Sequence, residues 1–319
     1  MRLVGRRGFL LGSALAAAGL LAGCSSSGES DDGVTAVKIA YLPITHALAL
    51  FEEVELLKAD DDAAISIELV QYSAWSELMD ALNSGQVDGA VVLVELAMRA
   101  VEQGIDLRAV ALGHRDGNVI VAAEDIETAA DLAGCTIAIP SRQSSHYILV
   151  LQALAEAGLS EDDVTLTELS PAEMPSALAS DQIQAYCVAE PFGAKGVDMG
   201  IGHVLYNSEE LWEDSLCCAL VLYGGFIDDE PDAAAALVQG YLDAGDALAA
   251  SYDETLRVAE EYLDQTEEVL TTSLQWISYN DLRIDEETYD QLVEYVLEYG
   301  LSDDPPSYEE FVVDLVAEE

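Results

Sequence analysis

The segment "IPSRQSSHYIL" (Ile139 to Leu149) gathers the residue types that hold small anions. An apolar run ends at Pro140, Ser141, Arg142, Gln143, Ser144 and Ser145 follow, and a helix is predicted from about Ser144. Unpaired N–H groups and the positive end of a helix favour a negative group by about 0.3 to 1 kcal/mol, and each charged hydrogen bond from an arginine adds roughly 1.5 to 3 kcal/mol. The competing reading makes Ser144 a plain helix cap and Arg142 a solvated surface charge. A second segment, "YCVAEPFGAKG" (Tyr186 to Gly196), ends a buried apolar run on Glu190. A dry, unpaired carboxylate costs several kcal/mol, so Glu190 needs water or a donor.

Three more loops in equivalent positions carry polar residues: "PITH" with Thr45 and His46, "SAW" with Trp75, and "VE" with Glu95. "GHRDGN" is a sixth, weaker candidate. The Trp75 ring suits a cleft wall or the core. His46 and His146 would face each other across a closing cleft, but the spacing of His46, His146 and Glu95 does not define a metal site. The chain has no G-x-S-x-G, H-E-x-x-H, G-x-G-x-x-G or P-loop motif, so no catalytic residue and no cofactor is assigned. The cysteines are Cys24, Cys135, Cys187, Cys217 and Cys218, and they form no C-x-x-C pair. The last four read as small buried residues with no metal role; a disulfide is compatible with export, but the spacing selects no partners.

All these loops follow strand-like runs. From Val37, strand "VKIAYL", helix "THALALFEEVELL", strand "ISIELVQY", helix "AWSELMDALNSG", strand "DGAVVLV", helix "ELAMRAVEQG" and strand "LRAVALG" alternate, as parallel βαβ units do. Thr45 and Ser73 are the predicted caps of the first two helices. A second series runs through "CTIAIP", "SSHYILVLQALAEAG", "VTLTELS", "AEMPSALASD" and "AYCVA". "ALNSGQVDGAVV" (Ala81 to Val92) aligns with "ALASDQIQAYCV" (Ala177 to Val188), a helix-into-strand match expected of two similar lobes. In open α/β sheets, ligands gather beyond the carboxyl ends of parallel strands, and the named loops lie there. "CCALVLYGGF" reads as a strand, and from Pro231 the chain reads as helical, with Asp232, Asp253, Thr266 and Asp285 starting helices.

At 319 residues and 51% hydrophobic composition, the chain can build two lobes with their own cores. Setting aside Arg2, Arg6 and Arg7 leaves nine of 12 basic residues against 61 acids, a net charge of −52. Nucleic acid and anionic lipid are therefore poor partners. A small anion is not, because screening over about 8 Å leaves a pocket responsive to its own lining.

Arg6-Arg7, the apolar stretch Phe9 to Leu21 and the ending "LAGC" read as a secretion signal too short to span a bilayer. "LAGC" resembles a bacterial lipobox, which implies cleavage before Cys24 and a lipid on its thiol, and "GRRGFLL" resembles a twin-arginine export signature. "SSSGESDDG" follows as a flexible tether.

The run from "VKIAYLPITHALALF" through "SAWSELMDALNSGQVDGAVV", "DLAGCTIAIP" and "SALASDQIQAYCVAEPFGAKG" resembles the substrate-binding lipoproteins of ABC importers of the nitrate, sulfonate, taurine and bicarbonate class. The resemblance implies an α/β, two-lobed type II periplasmic-binding fold, each lobe a mostly parallel sheet flanked by helices. Its implied divisions are a signal peptide over 1–23, a tether over 24–36, lobe 1 over 37–130 and 223–319 with the C-terminal helices, and lobe 2 over 131–222. The implied ligand site is Thr45, His46, Trp75, Glu95, Ser141, Arg142, Gln143, Ser144, Ser145 and Glu190. The implied role is non-catalytic: a lipid-anchored protein on the outer face of the cell membrane captures an oxyanion, sulfonate or amine-bearing solute by hinge closure and hands it to a permease and its ATPase. The alternative ligand is a thiamine-precursor aminopyrimidine. Cytoplasmic biosynthetic enzymes share the fold, but the export signal argues against that class. An oxyanion depends on Arg142, whereas Glu95 and Glu190 suit a ligand with donors.

Overall fold

The computed structural model describes residues 34–316, so the predicted leader, Cys24 and most of the tether lie outside the described residues. The first half runs β1 (Thr35–Tyr41), a single 3-10 turn (Thr45–Ala47), α1 (Leu48–Ala59), β2 (Ile65–Gln71), α2 (Trp75–Asn83), β3 (Gly89–Leu93), α3 (Val94–Glu102) and β4 (Leu107–Leu112). Then come β5 (Arg115–Asp116), β6 (Asn118–Ala122), β7 (Thr136–Ile139), α4 (Ser145–Glu156), β8 (Thr165–Glu168), α5 (Met174–Ala179), β9 (Ala185–Ala189), α6 (Phe192–Asp198), β10 (His203–Asn207), α7 (Ser208–Leu211) and β11 (Cys218–Tyr223). The C-terminal part holds α8 (Gly224–Asp229), α9 (Pro231–Ala250), α10 (Tyr252–Tyr262), α11 (Glu267–Ser273), β12 (Ile277–Ser278), α12 (Glu286–Glu298) and α13 (Tyr308–Phe311).

Two five-stranded sheets result, in the orders β2-β1-β3-β11-β4 and β10-β6-β9-β7-β8. In the first, β1 pairs in parallel with β2 and β3, and β11 runs antiparallel between β3 and β4. In the second, β7 is parallel to β8 and β9, while β6 is antiparallel to β9 and β10. Each sheet therefore has one reversed strand whose start lies among the carboxyl ends of its parallel neighbours. Cys218 sits opposite Leu93, and Asn118 opposite Ala189. Central β3 and β9 are buried on both faces. That is why "GAVVL" and "AYCVA" read as continuous apolar runs and not as alternating ones.

The sheet pairing moves the expected lobe boundaries. β6 was assigned by position to lobe 1 but pairs in the second sheet, and β11 was assigned to lobe 2 but completes the first. The physical reason is that each sheet closes with an antiparallel strand taken from across the sequence divide. The chain crosses between sheets just before Asn118 and just before Cys218. β5 and β12 form a small ribbon at the first crossing.

The internal similarity is structural down to single hydrogen bonds. Gly85 and Asp181 occupy aligned turn positions and both have positive φ, 66° and 57°. Gln86 Nε2 donates to Ser84 Oγ at 2.7 Å, and Gln182 Nε2 to Ser180 Oγ at 2.8 Å. Ser84 and Ser180 each donate to the carbonyl four residues earlier.

Among the C-terminal helices, α9 and α10 pack on α1, as expected for lobe 1. Helix α11 instead packs on α6 of the second lobe, and Gln143 Nε2 donates to Leu301 O at 2.9 Å, so this region bridges both lobes. Thr266 and Asp285 do cap their helices. Ser251 caps α10 where Asp253 was predicted, and Ser73 caps nothing. Among the described residues, no helix is long and apolar enough to cross a membrane.

Candidate functional site

The carboxyl edges of the two sheets meet over a buried polar cluster. From the first sheet, the turn after β1 supplies His46, the end of β4 leads through Gly113 to His114, and the start of β11 supplies Cys217 and Cys218. Gly113 is required there, since a Cβ would lie 2.8 Å from His46 O and 3.2 Å from Cys218 Cβ. Consecutive residues of a regular strand point to opposite faces. Cys217 lies just before the β11 ladder, with its carbonyl accepting from Val94 N at 2.8 Å, and this frees its thiol to turn toward that of Cys218.

Both thiols and both imidazoles are almost fully excluded from solvent. His46 Nε2 lies 3.0 Å from Gly117 O, a group that can only accept, so Nε2 carries the proton and Nδ1 presents a lone pair. That lone pair lies 3.4 Å from Cys218 Sγ and 3.7 Å from Cys217 Sγ, and the sulfurs are 3.9 Å apart. The His114 ring stands beside that of His46, with centroids 3.5 Å apart. One atom from each of the four side chains falls within 4.8 Å of all the others. The described cysteines are all free thiols.

Around this core lie buried groups without a hydrogen-bond partner: both ring nitrogens of His114 and of His146, both carboxyl oxygens of Glu95, Ser145 Oγ and Asn118 Nδ2. Such orphans are individually costly, about 1 to 3 kcal/mol each, and their concentration in one place sets this junction apart from the rest of the core. Burial holds the Glu95 carboxyl well above the usual range, with the Cys217 sulfur adding to the effect. Burial lowers His114 to about 4, helped by His46, and lowers His146 to about 4. Burial opposes ionisation of both thiols; it raises Cys218 well above the ordinary thiol value, with the Cys217 sulfur adding, whereas the hydrogen bond from Cys218 works toward a lower value at Cys217.

The structure brings six predicted residues to this junction: Thr45, His46, Glu95, Ser144, Ser145 and Glu190 are all buried. Two of them act differently from expectation. Thr45 is no helix cap; its N and Oγ1 both donate to Glu190 O, at 2.9 and 3.0 Å, tying the lobes together. The Glu190 carboxylate accepts from Ala194 N at 3.1 Å, so the donor its position demands is its own following helix. Burial pushes Glu190 up to about 8, against the lowering effect of that N–H. Ser144 caps α4 by accepting from Tyr147 N.

Trp75 and Ser141 lie farther out, lining a cavity of about 480 Å³ together with Leu96 and Glu168. Gln143 bonds Leu301 O. Arg142 is a correction: its guanidinium pairs with Glu161 and stands over the Tyr147 ring, half-exposed. None of the described Lys or Arg residues is buried. His114, Cys217, Cys218 and Asn118 were missed. "GHRDGN" pointed at the first, and an adjacent cysteine pair at the mouth of a strand was the available signal for the second and third.

The NMT1-like family model matches residues 30–262. The chain belongs to the NMT1-like family. A ligand-binding component of an ABC-type import system from Staphylococcus aureus, solved with zinc bound, is 37% identical to this NMT1-like protein, with a TM-score of 0.84 over 88% of this chain and 96% of that one. The nitrate/nitrite-binding protein NrtA of Nostoc sp. PCC 7120 is 24% identical over 76% of the chain, and the putative aliphatic sulfonates-binding protein of Escherichia coli K12 is 29% identical over 62%. The chain spans 66% and 62% of the lengths of those two curated relatives. The two-lobed periplasmic-binding fold expected from sequence is thus shown.

Proposed function

We propose that this NMT1-like protein is the exported solute-binding component of an ABC importer, which holds a small molecule between its lobes and presents it to a permease and ATPase. The observation that carries the reading is the set of orphaned buried polar groups where the two carboxyl edges meet, held shut by Thr45 and Glu190. Nitrate- and sulfonate-binding relatives support the role, and their being binding proteins supports a ligand that is carried and not transformed. The leader and the "LAGC" ending support anchoring by a lipid on Cys24, with twin-arginine export as the finer proposal. The lobes are proposed to hinge at the crossings before Asn118 and before Cys218.

The relatives put nitrate and aliphatic sulfonates on the panel of solutes; bicarbonate and taurine join them from the resemblance carried by the sequence, and an aminopyrimidine as a ligand with donors for Glu95. Zinc in the Staphylococcus aureus relative adds a metal ion. Thermal denaturation of the chain from Cys24 onward, with Cys24→Ser in place of the lipid, tests the reading. A true solute at 100 times its dissociation constant adds about 2.7 kcal/mol. Stabilisation by one member, recovered unchanged after release, is the expected result. No shift with any member, or turnover of the bound one, would overturn the proposal.

A further inference from the structure

The thiol and imidazole groups have the spacing of a coordination shell. A tetrahedral zinc centre with Zn–S of about 2.3 Å and Zn–N of about 2.0 to 2.1 Å has S–S edges of about 3.8 Å and S–N edges of about 3.5 Å. The corresponding separations here are 3.9 Å between Cys217 and Cys218, and 3.4 and 3.7 Å from His46 Nδ1 to the two sulfurs. His46 already has the outer hydrogen bond that metal-bound imidazoles make, from Nε2 to the Gly117 carbonyl, which leaves Nδ1 as donor atom. Both ring nitrogens of buried His114 are free to supply the fourth.

We infer that His46, His114, Cys217 and Cys218 bind one zinc-class divalent cation, and that this cation is the solute of the cleft. The inference rests on the solute-binding reading above and names its ligand. Charge decides the cation class. Two thiols release their protons to solvent, and two thiolates with two neutral imidazoles then cancel a divalent charge, so the closed cleft buries no net charge. A bare anion would enter beside two ionisable sulfurs, and among the described residues no Lys or Arg is buried to meet it. All four donors stand on the first sheet, so that lobe can take the ion first. The second lobe then closes over it with His146, Ser145 and Asn118, whose orphaned atoms gain a polar neighbour.

Cobalt(II) is the probe, because a tetrahedral thiolate site announces itself in the visible d–d bands and in near-ultraviolet charge transfer. The Cys24→Ser chain should bind one cobalt with both signatures, and zinc should displace it. Small-angle scattering should show compaction on zinc addition. Cys217→Ser/Cys218→Ser should lose the charge-transfer band and at least 100-fold in affinity, with unchanged circular dichroism as the control for folding. The wild-type spectrum needs no variant and decides by itself: absence of thiolate bands overturns the site. Binding without compaction overturns the cation as the cleft's solute. Stabilisation by nitrate, taurine, a sulfonate or the aminopyrimidine with no metal uptake overturns this inference alone, leaving the solute-binding role standing.

Discussion

Glu53 shows how burial can turn an acid into a pH sensor of stability, independently of the cleft. It lies on α1 with no solvent exposure and no hydrogen-bond partner on either oxygen. Burial, with Asp243 adding, holds its pKa well above the ordinary 4.5. Because the folded value is raised, the contribution of Glu53 to stability is fully present below about pH 4.5 and is lost as pH rises toward the folded value. Each pH unit in that window costs about 1.4 kcal/mol. Glu53→Gln removes the titration. Its stability relative to wild type in urea unfolding should therefore rise as pH climbs above 5, by up to about 1.4 kcal/mol per pH unit while the pH stays below the folded value. A difference that stays flat with pH would show that the carboxylate ionises in the folded state at its usual pH. Arg142 carries the opposite lesson at the same scale. The sequence places a rare arginine beside a helix start, but nothing in the one-dimensional pattern shows that Glu161 lies close enough to claim it.

Elements were the most legible level. Doubly buried β3 and β9 announced themselves as apolar runs, and the aligned "ALNSGQVDGAVV" and "ALASDQIQAYCV" did fold alike. The first 3-10 turn was not legible, because Thr45 looks like a cap and its partner, Glu190 O, is 145 residues away. Sheet membership of β6 and β11 was hidden for the same reason: antiparallel pairing across the lobe divide leaves no local signature. The same non-local pairing concealed the cluster, whose cysteines meet the histidines only when β11 inserts between β3 and β4. Where the signal was local, as at Ser144, the cap is present. Its Oγ accepts from Tyr147 N at 3.3 Å and donates to Ser141 O at 2.6 Å, fixing the turn that presents Ser145 and His146. Ser144→Ala should lower stability by about 1 kcal/mol, and Ser144→Asn should recover most of it. Equal stability of all three proteins in urea would mean that tertiary packing alone sets this helix start.

At the scale of the whole molecule, the two lobes are joined by few directed bonds across the cleft, and that keeps closure responsive to a ligand. Thr45 N and Oγ1 converge on Glu190 O, and Gln143 reaches Leu301 O, while Tyr279 steadies Thr45 from within the first lobe by donating to its carbonyl at 2.8 Å. A net hydrogen bond contributes about 0.5 to 1.5 kcal/mol, so this set can bias closure by a few kcal/mol without making it permanent. A ligand then needs only a modest preference for the closed form to shift the population. Thr45→Val keeps the backbone bond and the side-chain volume but removes the Oγ1 contact. It should move the balance toward the open form by about 1 kcal/mol, roughly fivefold in the open-to-closed ratio. Small-angle scattering of the unliganded variant should show a larger radius of gyration than wild type, while its circular dichroism stays the same. An unchanged radius would mean that the Thr45 hydroxyl does not help hold the lobes together, and that apolar contact between the C-terminal helices and α6 governs closure instead.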